Sequence, residues 1–156
     1  MTQTTEAVTH SVLVPLEPGA AFELFTDRFA DWWPKESHHI GEADAADVFL
    51  EPREGGRWYT RHTDGSETST GYVAAWEPPD RLVVTWQISA GWAYDPSLVT
   101  TVEVRFVEEA PDRTRVELEH RDLDRFGPDA ERMRQVFAGP DAWNATLVAY
   151  AAAVEA

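Results

Sequence analysis

The sequence predicts an α+β fold in which an antiparallel sheet of about six to seven strands is covered by a long C-terminal helix. Three observations carry this. Segments alternating apolar and polar residues fill the middle of the chain, as strands with one wet face require. Tight-turn residues separate them, so sequential strands run antiparallel. The last segment instead repeats its apolar residues at helical spacing, and a sheet with one apolar face needs such a cover.

Residues 8–14 read as a first strand, stopped by Pro15. Pro18-Gly19 opens a short helix in which Ala21, Phe22, Leu24, Phe25 and Phe29 recur at helical spacing. Pro34 biases Trp33 away from helix, so the helical region ends at Asp31-Trp32-Trp33-Pro34. A polar loop over 35–45 carries His38 and His39. Strands are expected over 47–51 and 57–62, then 68–77 after the hairpin signal Thr63-Asp64-Gly65-Ser66. In 81–89, Leu82, Val84, Trp86 and Ile88 share one face. After a loop holding Gly91, Trp92, Tyr94 and Pro96, Thr100, Val102, Val104 and Phe106 share a face. Ala110-Pro111-Asp112 turns the chain, and Val116, Leu118 and His120 face inward, with Glu117 and Glu119 on the wet side. A short helix over 128–137 breaks at Gly139-Pro140. Taking Pro140 as a first helical residue, a final helix over 140–155 carries the stripe Trp143, Leu147, Tyr150, Ala151 and Val154. Such a helix is about 24 Å long.

The chain has 156 residues, 13 basic and 28 acidic, for a formal net charge of −15. That length suits one domain over 1–156, with 1–7 expected to form a flexible N-terminus. The charge argues against nucleic acid and anionic membrane surfaces as partners. With 43% hydrophobic residues and seven Trp, the chain is too apolar for a disordered acidic tail. Without cysteine, disulfides and thiolate metal sites are excluded. Residues 1–10 lack the basic start and apolar run of a signal peptide. No stretch approaches the roughly 18 apolar residues of a membrane span, so the expected location is the cytoplasm. The Asn144-Ala145-Thr146 sequon carries no meaning without secretion.

At this point a family resemblance emerges. Its carriers are Ser11-Val12-Leu13-Val14-Pro15 with Ala21-Phe22-Glu23-Leu24-Phe25-Thr26, then Asp31-Trp32-Trp33-Pro34 and Gly55-Gly56-Arg57-Trp58-Tyr59. Trp76-Glu77-Pro78-Pro79-Asp80-Arg81-Leu82-Val83, then 114–120, and Gly139-Pro140 with Trp143 complete the series. The chain resembles the START-like (SRPBCC) superfamily of helix-grip proteins. Within it, it is most similar to the group named after the activator of Hsp90 ATPase. The resemblance implies a curved sheet gripping the last helix, with a cavity between them for a hydrophobic small molecule, lipid- or polyketide-like. The superfamily hosts many functions, so the likeness specifies fold more than activity.

Under that fold the inward positions are Trp86, Phe106, His120, Trp143, Leu147 and Tyr150, with Trp33 and Trp92 at the cavity rim. Trp58 joins them if the register after the Gly55-Gly56 bulge signal turns it inward, and His62 shares its phase. Trp32 and Trp76 are left unplaced. Any one of these aromatics could equally be core packing; as a set they fit an apolar pocket with a few polar handles. His120 has three readings: general base, hydrogen-bond handle for a ligand, or satisfied core residue. His38-His39 makes a poor metal site, because adjacent residues do not converge readily on one ion and no third ligand stands at a diagnostic spacing. Arg57, Arg61 and Arg105 fall in exposed phase and can pair with the acid surplus. Gly55-Gly56-Arg57 lacks the Gly-Lys-Ser/Thr ending of a phosphate loop, and no Gly-x-Ser-x-Gly elbow occurs.

Three functions compete: a module binding a hydrophobic small molecule, a cyclase-, dehydratase- or hydrolase-type enzyme using His120 or Tyr150 as acid or base, and an Hsp90-type co-chaperone. The last is disfavoured because the chain lacks the additional N-terminal module of such co-chaperones. No metal or cofactor is expected. Oligomeric state is left open, a homodimer included.

Overall fold

In the computed structural model, residues 7–33, 44–140 and 142–154 are described. The chain runs β1 (Val8–Val14), α1 (Pro18–Thr26), α2 (Phe29–Trp32), β2 (Ala45–Leu50), β3 (Arg57–His62), β4 (Glu67–Glu77), β5 (Arg81–Trp86), β6 (Thr100–Ala110) and β7 (Arg113–Arg121). A 3-10 segment (Leu123–Asp129), α3 (Ala130–Ala138) and α4 (Trp143–Val154) follow. The seven strands form one sheet in the order β1-β7-β6-β5-β4-β3-β2. All neighbouring strands pair antiparallel. The sheet curls into a half-barrel with α4 as its long C-terminal helix, the helix-grip arrangement.

Alternation sets which faces are buried. Val102, Val104 and Phe106 on β6 oppose His120, Leu118 and Val116 on β7, and all six are buried. Trp58, Thr60 and His62 on β3 are buried together, so the register across the Gly55-Gly56 turn does bring Trp58 inward. A register shift between Trp58 and Tyr59 bends the β3–β4 ladder. Gly71 on β4 is required here, because a Cβ would collide with the Thr85 carbonyl oxygen of β5. That close approach lets the Tyr72 N–H donate to Thr85 Oγ1 at 2.9 Å.

The structure corrects several boundaries. The strand expected over 81–89 ends at Trp86, where Gln87 N–H turns to the Thr70 carbonyl, and the chain goes on as a small hairpin bridged at Ile88–Tyr94. The helix expected over 140–155 is Trp143–Val154, 12 residues. Pro140 holds Gly139 extended (φ −70°, ψ 165°), and helical bonding begins only with Thr146 N–H to Ala142 C=O. The helix expected over 128–137 is α3, Ala130–Ala138, preceded by the 3-10 segment in which Gly127 stands at φ 64°. Residues 1–6, most of the expected flexible N-terminus, lie outside the described residues.

Candidate functional site

The helical cover meets the sheet over an aromatic cluster. Pro18 at the start of α1 and the extended Trp33 after α2 bracket a segment whose aromatic residues, Phe22, Phe25, Phe29, Trp32 and Trp33, are all buried. Trp33 packs on Phe29, Trp58 and Trp143, with ring centroids 4.9, 5.7 and 6.3 Å apart. Trp58, Trp86 and Trp143 continue the series, Trp86 lying 5.8 Å from Trp58 and 5.5 Å from Trp143.

Between these rings and the sheet lies a hollow of about 20 Å³ with a wholly apolar wall. Phe25, Phe29, Trp33 and Trp143 close it from the helical side. Trp58 and Leu50 form one flank, and Leu82, Val84, Val102, Val104 and Leu118 form the floor. The β-branched valines are short, which leaves the gap beneath the indoles.

Of the nine residues predicted for a ligand site, the structure brings Trp33, Trp58 and Trp143 onto this wall. Trp33 is buried, not at an open rim. Trp86 stands one layer behind, against Trp58 and Trp143. Phe106 packs on Phe22 and Phe25, away from the hollow. Leu147 and Tyr150 are buried in the α4 seam. Trp92 departs furthest from expectation. It is 48% exposed at the tip of the Ile88–Tyr94 hairpin, with φ 62° and its N–H bonded to Ser89 C=O. The tight turn takes its backbone left-handed and projects the indole from the surface. Phe25, Phe29 and Leu50 line the hollow without having been singled out for it; the i, i+4 spacing of the two phenylalanines was their only sequence signal.

His120 is wholly enclosed, and both ring nitrogens are engaged. Trp143 Nε1–H donates to His120 Nδ1 at 3.0 Å. The Thr100 hydroxyl donates to the Trp86 carbonyl at 2.8 Å, so its oxygen accepts from His120 Nε2–H, also at 2.8 Å. The ring is therefore the neutral Nε2–H tautomer, and burial pushes its pKa down to about 3. Of the three readings of this residue, the geometry matches the satisfied core histidine; neither nitrogen is free to serve as a base. Tyr150 is likewise committed. Its hydroxyl donates to Ala21 C=O at 2.8 Å, and burial raises the phenol pKa. His62, the other inward histidine, bonds Thr68 Oγ1 at 2.8 Å across the β3–β4 hairpin.

Among the described residues no group of three or more His, Cys, Asp or Glu could hold a metal ion. His38 and His39 lie outside the described residues. No described helix is long and apolar enough to cross a membrane. Arg57, Arg61 and Arg105 are on the outer face in ion pairs with Glu67, Glu67 and Glu103.

A curled antiparallel sheet closed by a C-terminal helix over an apolar hollow defines a helix-grip protein. The chain belongs to the family described as Activator of Hsp90 ATPase homolog 1-like protein, which matches residues 15–151. Among solved structures it is similar to the anthrahydroquino-γ-pyrone synthase Txn09, at 37% identity over 97% of this chain and 98% of that one, with a TM-score of 0.64. It is also similar to the self-sacrificing resistance protein CalC from Micromonospora echinospora, at 29% identity, 97% and 95% coverage and a TM-score of 0.71. An Hsp90 activator from Plasmodium falciparum shares the fold at 16% identity, covering 84% and 86% of the two chains with a TM-score of 0.54. Comparison with curated proteins gives no match.

Proposed function

We propose that the protein binds a neutral, ring-bearing hydrophobic small molecule, polyketide-like in character, between the sheet and the helical cover. The observation that carries this reading is the apolar hollow walled by Phe25, Phe29, Trp33, Trp58 and Trp143. Flat rings on several sides favour a flat ring as guest. The 37% identity to a protein named as a γ-pyrone synthase points to the same ligand class.

The hollow is about 20 Å³, whereas small-molecule sites are typically about 300–1,000 Å³. Binding on this reading therefore needs the aromatic wall to part. Trp33 is the natural moving piece, since it follows the last turn of α2 and has left the helix. The alternative reading, a cyclase-type enzyme, uses the same hollow, and the relative's name as a synthase favours it. With His120 and Tyr150 both held in hydrogen bonds, such an enzyme would act by shaping its substrate, not through these two groups as acid or base.

Calorimetric titration with the bicyclic hydrocarbon tetralin, and with palmitate as the lipid counterpart, tests the reading. Saturable binding of tetralin is expected, with palmitate weaker. Val102→Phe, which fills the floor of the hollow, should abolish it while the protein stays folded, overpacking costing about 1–3 kcal/mol. If the folded wild type binds neither probe, or Val102→Phe binds tetralin as well as wild type does, the reading is wrong.

A further inference from the structure

The polar groups around the hollow are almost all spoken for. Trp143 donates to His120, His120 to Thr100, Trp32 Nε1–H to Leu24 C=O and Tyr150 to Ala21 C=O. One is not. Trp86 Nε1–H is the sole buried side-chain nitrogen or oxygen among the described residues without a hydrogen-bond partner. An indole N–H can only donate, and leaving one buried and unpaired is costly enough that native structures rarely do so without a reason.

Its position gives the reason. Trp86 is the last residue of β5, paired with Thr100 of β6. Its carbonyl accepts the Thr100 hydroxyl, which is itself held by His120. The backbone that carries the indole is thus fixed before any ligand arrives. The ring packs edge-on against Trp58 and Trp143, both of which face the hollow. Since the wall itself is apolar, a guest that parts those two rings meets Trp86 as the next layer.

We propose that Trp86 Nε1–H is a specificity-determining donor, and that the ligand is a ring compound bearing a ketone or quinone oxygen which accepts this hydrogen bond. The inference rests on the proposed function and narrows it from hydrophobic ring compounds to oxygenated ones. The Trp143–His120–Thr100 chain serves as positioning machinery, holding both the indole wall and the backbone of the donor.

The test compares 1-tetralone with tetralin, which differ by one carbonyl, on wild type and on Trp86→Phe. Trp86→Phe keeps an aromatic ring and removes the donor. The ratio of tetralone to tetralin affinity is expected to fall about tenfold in the variant, the size of one net hydrogen bond. In ¹H–¹⁵N spectra of the wild type, tetralone should move the Trp86 indole proton downfield and tetralin should not. An unchanged ratio, or a Trp86 indole resonance indifferent to tetralone, overturns the inference while tetralin binding leaves the proposed function standing. Binding of neither probe by wild type removes both. Should Trp86→Phe fail to fold, the wild-type spectra decide alone.

Discussion

His120 makes a neutral imidazole part of the core, and that has a measurable consequence. Its pKa in the folded chain is about 3, against 6.5 for an ordinary histidine. Below pH 6.5 the unfolded chain takes up a proton that the native ring refuses. The stability contributed by the neutral ring is therefore complete above pH 6.5 and is lost as pH falls toward 3. Between pH 7.5 and 5.5 the loss from this residue is about 1.4 kcal/mol. Urea unfolding at the two pH values should show it, and in His120→Gln the loss should shrink by about that amount; an equal pH dependence in the variant would show that the ring is not buried neutral. The inward direction of His120 was legible from its alternation with Val116 and Leu118. Its role was not, because Trp143 and Thr100 lie 23 and 20 residues away in sequence. Periodicity fixes a direction; it does not name the partner found there. Trp92 illustrates the other limit, since a left-handed turn overrode what its aromatic character suggested.

At the scale of elements, α4 is bound at both ends by polar contacts inside an apolar seam. Trp143 anchors its start to β7 through His120. Near its far end the Tyr150 hydroxyl reaches Ala21 of α1, with Phe25 and Trp32 edge-on to its ring at 5.2 and 5.3 Å. Tyr150→Phe keeps the rings and removes only that bond, so a destabilisation of about 1 kcal/mol is expected in urea unfolding, one net buried hydrogen bond. No measurable change would mean that the aromatic packing alone holds α4 to α1. The stripe of Trp143, Leu147 and Tyr150 was readable at helical spacing, and so was the buried face. The start of the helix was misplaced because Pro140 is as compatible with the turn before a helix as with its first residue. The hollow was the least legible feature. It depends on how α2 is set against β3 and on short valines on β6, and no local pattern encodes a gap between elements distant in sequence.

Across the whole molecule the basic and acidic residues divide unequally. Among the described residues ten arginines enter ion pairs. Glu103, the best buried carboxylate among these, gathers Arg81, Arg105 and Arg121 across the outer face of β5, β6 and β7. Burial pushes its carboxyl pKa up, but the hydrogen bonds from Arg121 and Arg81 outweigh this and hold it below the usual value. These pairs leave a net charge of −15 unanswered, and that excess repels itself more strongly in the compact state than in the expanded chain. Salt acts on both terms with opposite sign. It weakens exposed pairs, which contribute only about 0–1 kcal/mol each, and it screens the repulsion, with a Debye length shrinking from about 30 Å at 0.01 M to about 10 Å at 0.1 M. A fifteen-charge excess spread over a small molecule outweighs pairs that are mostly exposed, so the melting temperature should rise as sodium chloride goes from 10 to 300 mM at pH 7. A fall over that range would show that the arginine network, Glu103 at its centre, contributes more than the repulsion removes. The same field bears on the ligand. It opposes anionic guests at the surface and is indifferent to a neutral ketone, so the affinity for 1-tetralone should stay flat over the salt range in which stability climbs.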